Sequence, residues 1–125
     1  MNEHTLTDRK MIDELEKSRE QLLSASSSEG LLRVLRRKLQ SITPNVYVLR
    51  WIPEQGEDLY DVLVDGATVA HIEIPRRNPD QETVFETWPV EEYRRTRKIL
   101  TTPERRKLQL ALHLARSLNA RHNRQ

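Results

Sequence analysis

A chain of 125 residues with no cysteine and a formal net charge of +2 is sized for a single domain over 1–125 whose core needs no staples. The missing cysteines exclude disulfides, a thiolate nucleophile and sulfur-ligated zinc or clusters. Hydrophobic residues at 36% and charged residues at 32% predict a modest core under a heavily solvated surface.

No apolar run approaches the roughly 20 residues that span a bilayer, and the polar start carries no apolar signal segment. The expectation is a cytoplasmic protein with no membrane partner.

Residues 7–23 read as a first helix capped by Thr7, with Asp8 in its first turn and Met11, Ile12, Leu15, Leu22 and Leu23 on one side. Ser24 to Ser28 break it, and Ser27 or Ser28 caps a second helix over about 29–42. That helix turns Leu31, Leu32, Leu35, Leu39 and Ile42 inward and carries Arg33, Arg36, Arg37 and Lys38 on its other side. Thr43-Pro44 stops it. Strands come next at Val46–Ile52, Leu59–Val64 and Ala67–Ile74, with Thr83–Trp88 as an edge strand or extended connection. Val90–Leu100 reads as a short helix with Val90, Tyr93 and Leu100 inward. The last helix starts at a Thr102 cap, with Pro103 and Glu104 in its first turn. Leu108, Ala111, Leu112, Ala115 and Leu118 form its stripe, widened by Leu110 and Leu114. Residues 1–5 and 120–125 are expected to fray. The fold class is α+β: two N-terminal helices, a three- to four-stranded antiparallel meander, and two C-terminal helices packed on the sheet.

Asp65-Gly66 predicts a two-residue type I′ hairpin turn that pairs Val64 with Ala67. One face then holds Asp58, Tyr60, Val62, Val64, Val69, His71 and Glu73. The other holds Leu59, Asp61, Leu63, Ala70, Ile72 and Ile74, and is the core face. Tyr60 opposes His71, and Asp58 opposes Glu73, a pair of carboxylates that needs a cation between them. Val62, Val64 and Val69 require a cover, from the first helix or from a second copy, so a homodimer is one expected state.

Few catalytic patterns fit. Restriction-type nucleases place Asp on one hairpin strand and Glu-x-Lys on the next. Asp61 and Glu73 have that spacing, but Pro75 occupies the Lys position and the register separates the two carboxylates. A metal-independent ribonuclease needs a general base, a general acid and a phosphate clamp. His71, Glu73 and Arg76 supply those types and form the remote catalytic alternative. No histidine pair has metal-ligand spacing and the three glycines form no phosphate loop. The expectation is a non-enzyme with no cofactor and no metal.

Charge is the strongest functional pointer. Glu91–Gln125 holds ten basic and three acidic residues; Ser41–Val90 holds three basic and nine acidic. The candidate binding residues are Arg33, Arg36 and Arg37, then Arg94, Arg95, Arg97, Lys98, Arg105 and Arg106, then Tyr60 and His71 at the sheet end. The guanidinium fork suits carboxylates and phosphates. The leading expectation is a binding or adaptor protein making protein–protein contacts through an Arg-rich surface. The alternative partner is nucleic acid, as duplex DNA or structured RNA. In that light the helix–three strands–helix order resembles the layout of double-stranded RNA-binding domains, although the first helix and residues 76–100 have no counterpart there. A competing arrangement is internal, with Glu54, Glu57, Asp58, Asp61, Glu82 and Glu86 neutralising the terminal arginines.

Overall fold

Alternating apolar residues in the middle of the chain pair into one antiparallel sheet, and helices cover both of its faces. A computed structural model describes residues 5–24, 29–39, 43–77, 83–96 and 100–123. The elements are α1 (Leu6–Leu23), α2 (Glu29–Lys38), β1 (Val46–Glu54), β2 (Glu57–Val64), β3 (Thr68–Pro75), β4 (Val84–Pro89), α3 (Val90–Thr96) and α4 (Thr102–Asn123). The strands lie in the order β1-β2-β3-β4. No helix among the described residues is long and apolar enough to cross a membrane.

The helix starts differ from expectation by a residue or two, for local reasons. α1 begins at Leu6, and the Asp8 N–H donates to Thr5 Oγ1 at 3.0 Å, so Thr5 rather than Thr7 is the cap. At α4 the Glu104 N–H donates to Thr101 Oγ1 at 3.2 Å, while the Thr101 N–H donates to Glu104 Oε1 at 2.9 Å. This reciprocal box needs a spacing of three, which Thr101 has and Thr102 lacks. α4 runs from Thr102 through Asn123. The expected caps at Ser27 or Ser28 and the end of the second helix at 40–42 lie outside the described residues.

The hairpin turn forms as expected, but the ladder beyond it is shifted. The Ala67 N–H donates to Val64 O at 3.1 Å, and φ is positive at both Asp65 (55°) and Gly66 (69°), as a type I′ turn requires. Pairing then resumes with Val64 opposite Thr68, not Ala67. Ala67 is drawn out of the ladder: its carbonyl accepts from the Val90 N–H at 2.9 Å, where α3 begins. A one-residue shift turns every side chain of the strand to the other face. Asp61 therefore opposes His71, Leu59 opposes Glu73 and Tyr60 opposes Ile72. The expected Tyr60–His71 and Asp58–Glu73 pairs do not form, and Leu59 and Ile72 lie on opposite faces.

A second irregularity sits in β1. Val48 pairs with Val62 and Arg50 with Asp61, so Leu49 is an extra residue. Such a bulge re-aims the residues beyond it. Arg50 joins the face of Asp61 and His71, and Trp51 joins Tyr60 on the reverse side.

Both faces are core faces. On one, Tyr47, Leu49, Leu63 and Val69 pack against Tyr93 of α3, Leu108, Ala111 and Ala115 of α4, and Leu15 of α1. On the other, Val62, Val64, Ala70 and Ile72 pack against Leu31, Leu32 and Leu35 of α2, and Leu22 of α1. α1 runs along the β1 edge and joins the two cores, and its Ser18 Oγ accepts from the Val48 N–H at 3.1 Å. Val62, Val64 and Val69 are thus covered within one chain and call for no second copy.

Candidate functional site

The two shifts of register assemble a polar cluster that the expected register kept apart. Asp61, from β2, is 3% exposed, and its Oδ1 lies 2.7 Å from His71 Nδ1. The other ring nitrogen, Nε2, lies 2.8 Å from Glu73 Oε2. A neutral imidazole has a single N–H, so carboxylates at both nitrogens call for the imidazolium. Burial opposes that charge, but the hydrogen bonds and charges of Asp61 and Glu73 outweigh it and hold the His71 pKa above its ordinary 6.5.

The remaining oxygen of Asp61 faces α3 and β1. The Tyr93 hydroxyl donates to Asp61 Oδ2 at 2.8 Å, and Arg50 Nη1 stands 3.5 Å from the same atom. Burial, followed by the Asp61 charge, pushes the Tyr93 hydroxyl well above the usual phenol range. Arg50 Nε reaches on to Glu104 Oε2 at 3.0 Å, tying the first turn of α4 to the sheet. Glu104 is held below its ordinary carboxyl value, first by the Thr101 N–H and further by Arg50. Trp88 of β4 lies between the rings, with centroids 6.1 Å from His71 and 6.4 Å from Tyr93.

Chemically this is a clasp. Both nitrogens of His71 are committed, and among the described residues no group of three or more His, Asp or Glu is arranged to hold a metal ion. Nor does Arg76 join His71 and Glu73. Its Nη2 lies 3.0 Å from Asp58 Oδ1, and Asp58 belongs to the other face. The three residues of the ribonuclease alternative are therefore not brought together.

The candidate arginines divide between the two sides of the sheet. Arg33, Arg36 and Arg37 are exposed on α2; Arg94 and Arg95 are exposed on α3, and Arg105 on α4, in the opposite layer. Arg97 and Lys98 lie outside the described residues. Arg106 reaches across to buried Asp8 of α1 with two bonds, Nε to Oδ1 at 2.9 Å and Nη2 to Oδ2 at 2.6 Å. Among the described residues, Asp61 and Asp58 pair with Arg50 and Arg76 rather than with the terminal arginines. Glu82 lies outside the described residues.

Arg94 and Arg105 do converge. They line one cleft of about 250 Å³ with Leu108 and Gln109. Arg105 Nε donates to Leu100 O at 3.2 Å, which steadies its guanidinium, while Arg94 makes a surface contact of 3.7 Å with Glu91.

Tyr60 instead faces a groove of about 450 Å³ between the sheet end, α1 and α2, beside an exposed Trp51. Arg50 and Tyr93 were not singled out from the sequence as site residues, and Asp61 was weighed only as a nuclease carboxylate or a partner of the terminal arginines. The signal was available: a lone Asp and a lone Arg inside two otherwise apolar strands need each other when buried. No family model, no curated protein and no solved structure matches the chain, so the reading of these sites rests on their own chemistry.

Proposed function

We propose that the protein is a non-catalytic binding protein whose α3–α4 face takes an acidic segment of a partner protein. The observation that carries this reading is the convergence of Arg94 and Arg105 on one cleft that Leu108 also lines. Guanidinium groups bind carboxylates with two parallel hydrogen bonds, and an apolar floor adds an anchor that a purely ionic contact lacks. The Arg94–Glu91 pair is solvent-exposed and gives way to a partner carboxylate at little cost. The clasp beneath supports the cleft, because Tyr93 precedes Arg94 on α3 and is fastened to Asp61.

A nucleic-acid partner draws on one continuous basic surface. The separation of Arg33, Arg36 and Arg37 from Arg94, Arg95 and Arg105 by the sheet weighs against that alternative. The two are told apart by titrating a fluorescent Glu-rich peptide and an RNA or DNA duplex against the protein over a range of salt concentrations. The peptide is expected to bind more tightly than either duplex. Tighter duplex binding, with a steep salt dependence worth several phosphates, would replace this reading with the nucleic-acid one.

A further inference from the structure

We propose that the outer edge of β4 takes an extended segment of a partner protein as a fifth strand, with an Arg or Lys of that segment set against Glu86. No described β4 residue lines the Arg94–Arg105 cleft, so the two sites stand or fall separately.

The two edges of the sheet are unlike. α1 lies along β1, where its Ser18 Oγ takes up the Val48 N–H. β4 closes the strand order at the other side, and its Val84, Glu86 and Thr87 are exposed. Alternate residues of an edge strand turn their N–H and C=O groups outward. Among the described residues, nothing hydrogen-bonds to the outward groups of Val84 to Thr87. Another extended backbone matches such a row of donors and acceptors.

The side chains say what that backbone should carry. Arg50, Asp61, His71 and Glu86 stand directly opposite one another on β1, β2, β3 and β4. With His71 as the imidazolium, the row alternates plus, minus, plus, minus. His71 has given both ring nitrogens to Asp61 and Glu73, so Glu86 receives no bond from it, and it makes no ion pair among the described residues. A cation on a fifth strand continues the alternation, and opposite charges set directly across two strands attract while like charges repel.

The neighbouring row, on the other face, is apolar. Trp51, Tyr60, Ile72 and Phe85 follow one another across the four strands, and Phe85 ends the row half-buried. A β-branched residue beside Phe85 extends it. The fitting segment is therefore a basic residue between two apolar, β-branched ones. A second copy of this chain fits poorly, because β4 reads Val-Phe-Glu-Thr-Trp-Pro and has no cation to offer Glu86. The same lone charge guards the edge against indiscriminate pairing.

Three capped peptides test this by NMR titration, read at the backbone amides of Val84 to Thr87. The first is Thr-Val-Arg-Val-Thr, which presents the same side chains in either strand direction. The second has Glu in place of Arg, and the third is the Arg peptide with its three central amides N-methylated. The Arg peptide is expected to bind in the millimolar range or better, the Glu peptide about threefold or more weakly at these amides, and the N-methylated peptide not at all. Glu86→Gln, at an exposed position, should lose the preference for Arg over Glu, and Arg94→Ala should bind the Arg peptide as the wild type does. No shift at the β4 amides, equal binding of the N-methylated or the Glu peptide there, an unchanged preference in Glu86→Gln, or a loss in Arg94→Ala would each overturn the proposal. Concentration-dependent shifts of the same amides without peptide would overturn it too, and would give the edge to a second copy.

Discussion

Asp61 and His71 stand directly opposite each other on β2 and β3, with Oδ1 and Nδ1 2.7 Å apart. That pair exists because Ala67 is drawn out of the hairpin ladder. It is also the hub to which Tyr93 fastens α3 and, through Arg50 and Glu104, the start of α4 is tied.

The pair sets the response to rising pH. The His71 pKa is raised in the folded protein, so its contribution to stability is complete below the unfolded value of about 6.5 and is lost as pH climbs through the folded value. Thermal melts from mildly acidic to mildly alkaline buffer should show Tm falling on the alkaline side. His71→Gln should flatten that decline. A wild-type Tm that rises over the same range contradicts the imidazolium.

Glu104 governs the opposite limb. Its pKa is lowered on folding, chiefly by the Thr101 N–H, so its contribution is present above the ordinary carboxyl value and fades as pH drops through the folded one. Glu104→Gln keeps the capping geometry and removes the charge. Melts of this variant should lose less stability on acidification than the wild type does, and an unchanged acid limb would exclude Glu104 as a source.

Tyr93→Phe removes the hydroxyl that donates to Asp61 Oδ2 at 2.8 Å and leaves a buried carboxylate short of a donor. Urea unfolding should register a loss of about 1–3 kcal/mol. A loss near zero would mean that Arg50 and His71 already satisfy Asp61.

Gly66 has φ of 69°, and a Cβ placed on it would stand 3.1 Å from Ala115 Cβ. Gly66→Ala should cost roughly 1–2 kcal/mol from the left-handed backbone alone, with crowding against α4 added. Urea unfolding reads this directly. A neutral substitution would mean that the turn relaxes away from α4.

The element order and most inward residues were legible because they depend on local pattern. The 3.6-residue period of Leu31, Leu32 and Leu35 and the turn chemistry of Asp65-Gly66 act over a few residues. The features that were not legible depend on partners distant in sequence. Ala67 stands outside the β2–β3 pairing with its carbonyl bonded to the Val90 N–H, and nothing near Ala67 announces that. The bulge at Leu49 is similarly silent, yet it decides that Arg50 meets Asp61 while Trp51 meets Tyr60. Each shift by one residue exchanges the two faces, so small errors of register hid the whole cluster. The arginines were visible as charge, but only packing shows that Arg106 is tied to Asp8 of α1 while Arg105, one residue away, lines the α3–α4 cleft.

The measurement closest to the central claim is the affinity for a Glu-rich peptide of an Arg94→Ala, Arg105→Ala double variant beside Arg36→Ala. All three positions are exposed, so both proteins should fold as the wild type does. The account predicts a loss of about tenfold or more for the double variant and a change within about twofold for Arg36→Ala. Undiminished binding by the double variant, or an equal loss in Arg36→Ala, would contradict a site built on the α3–α4 cleft.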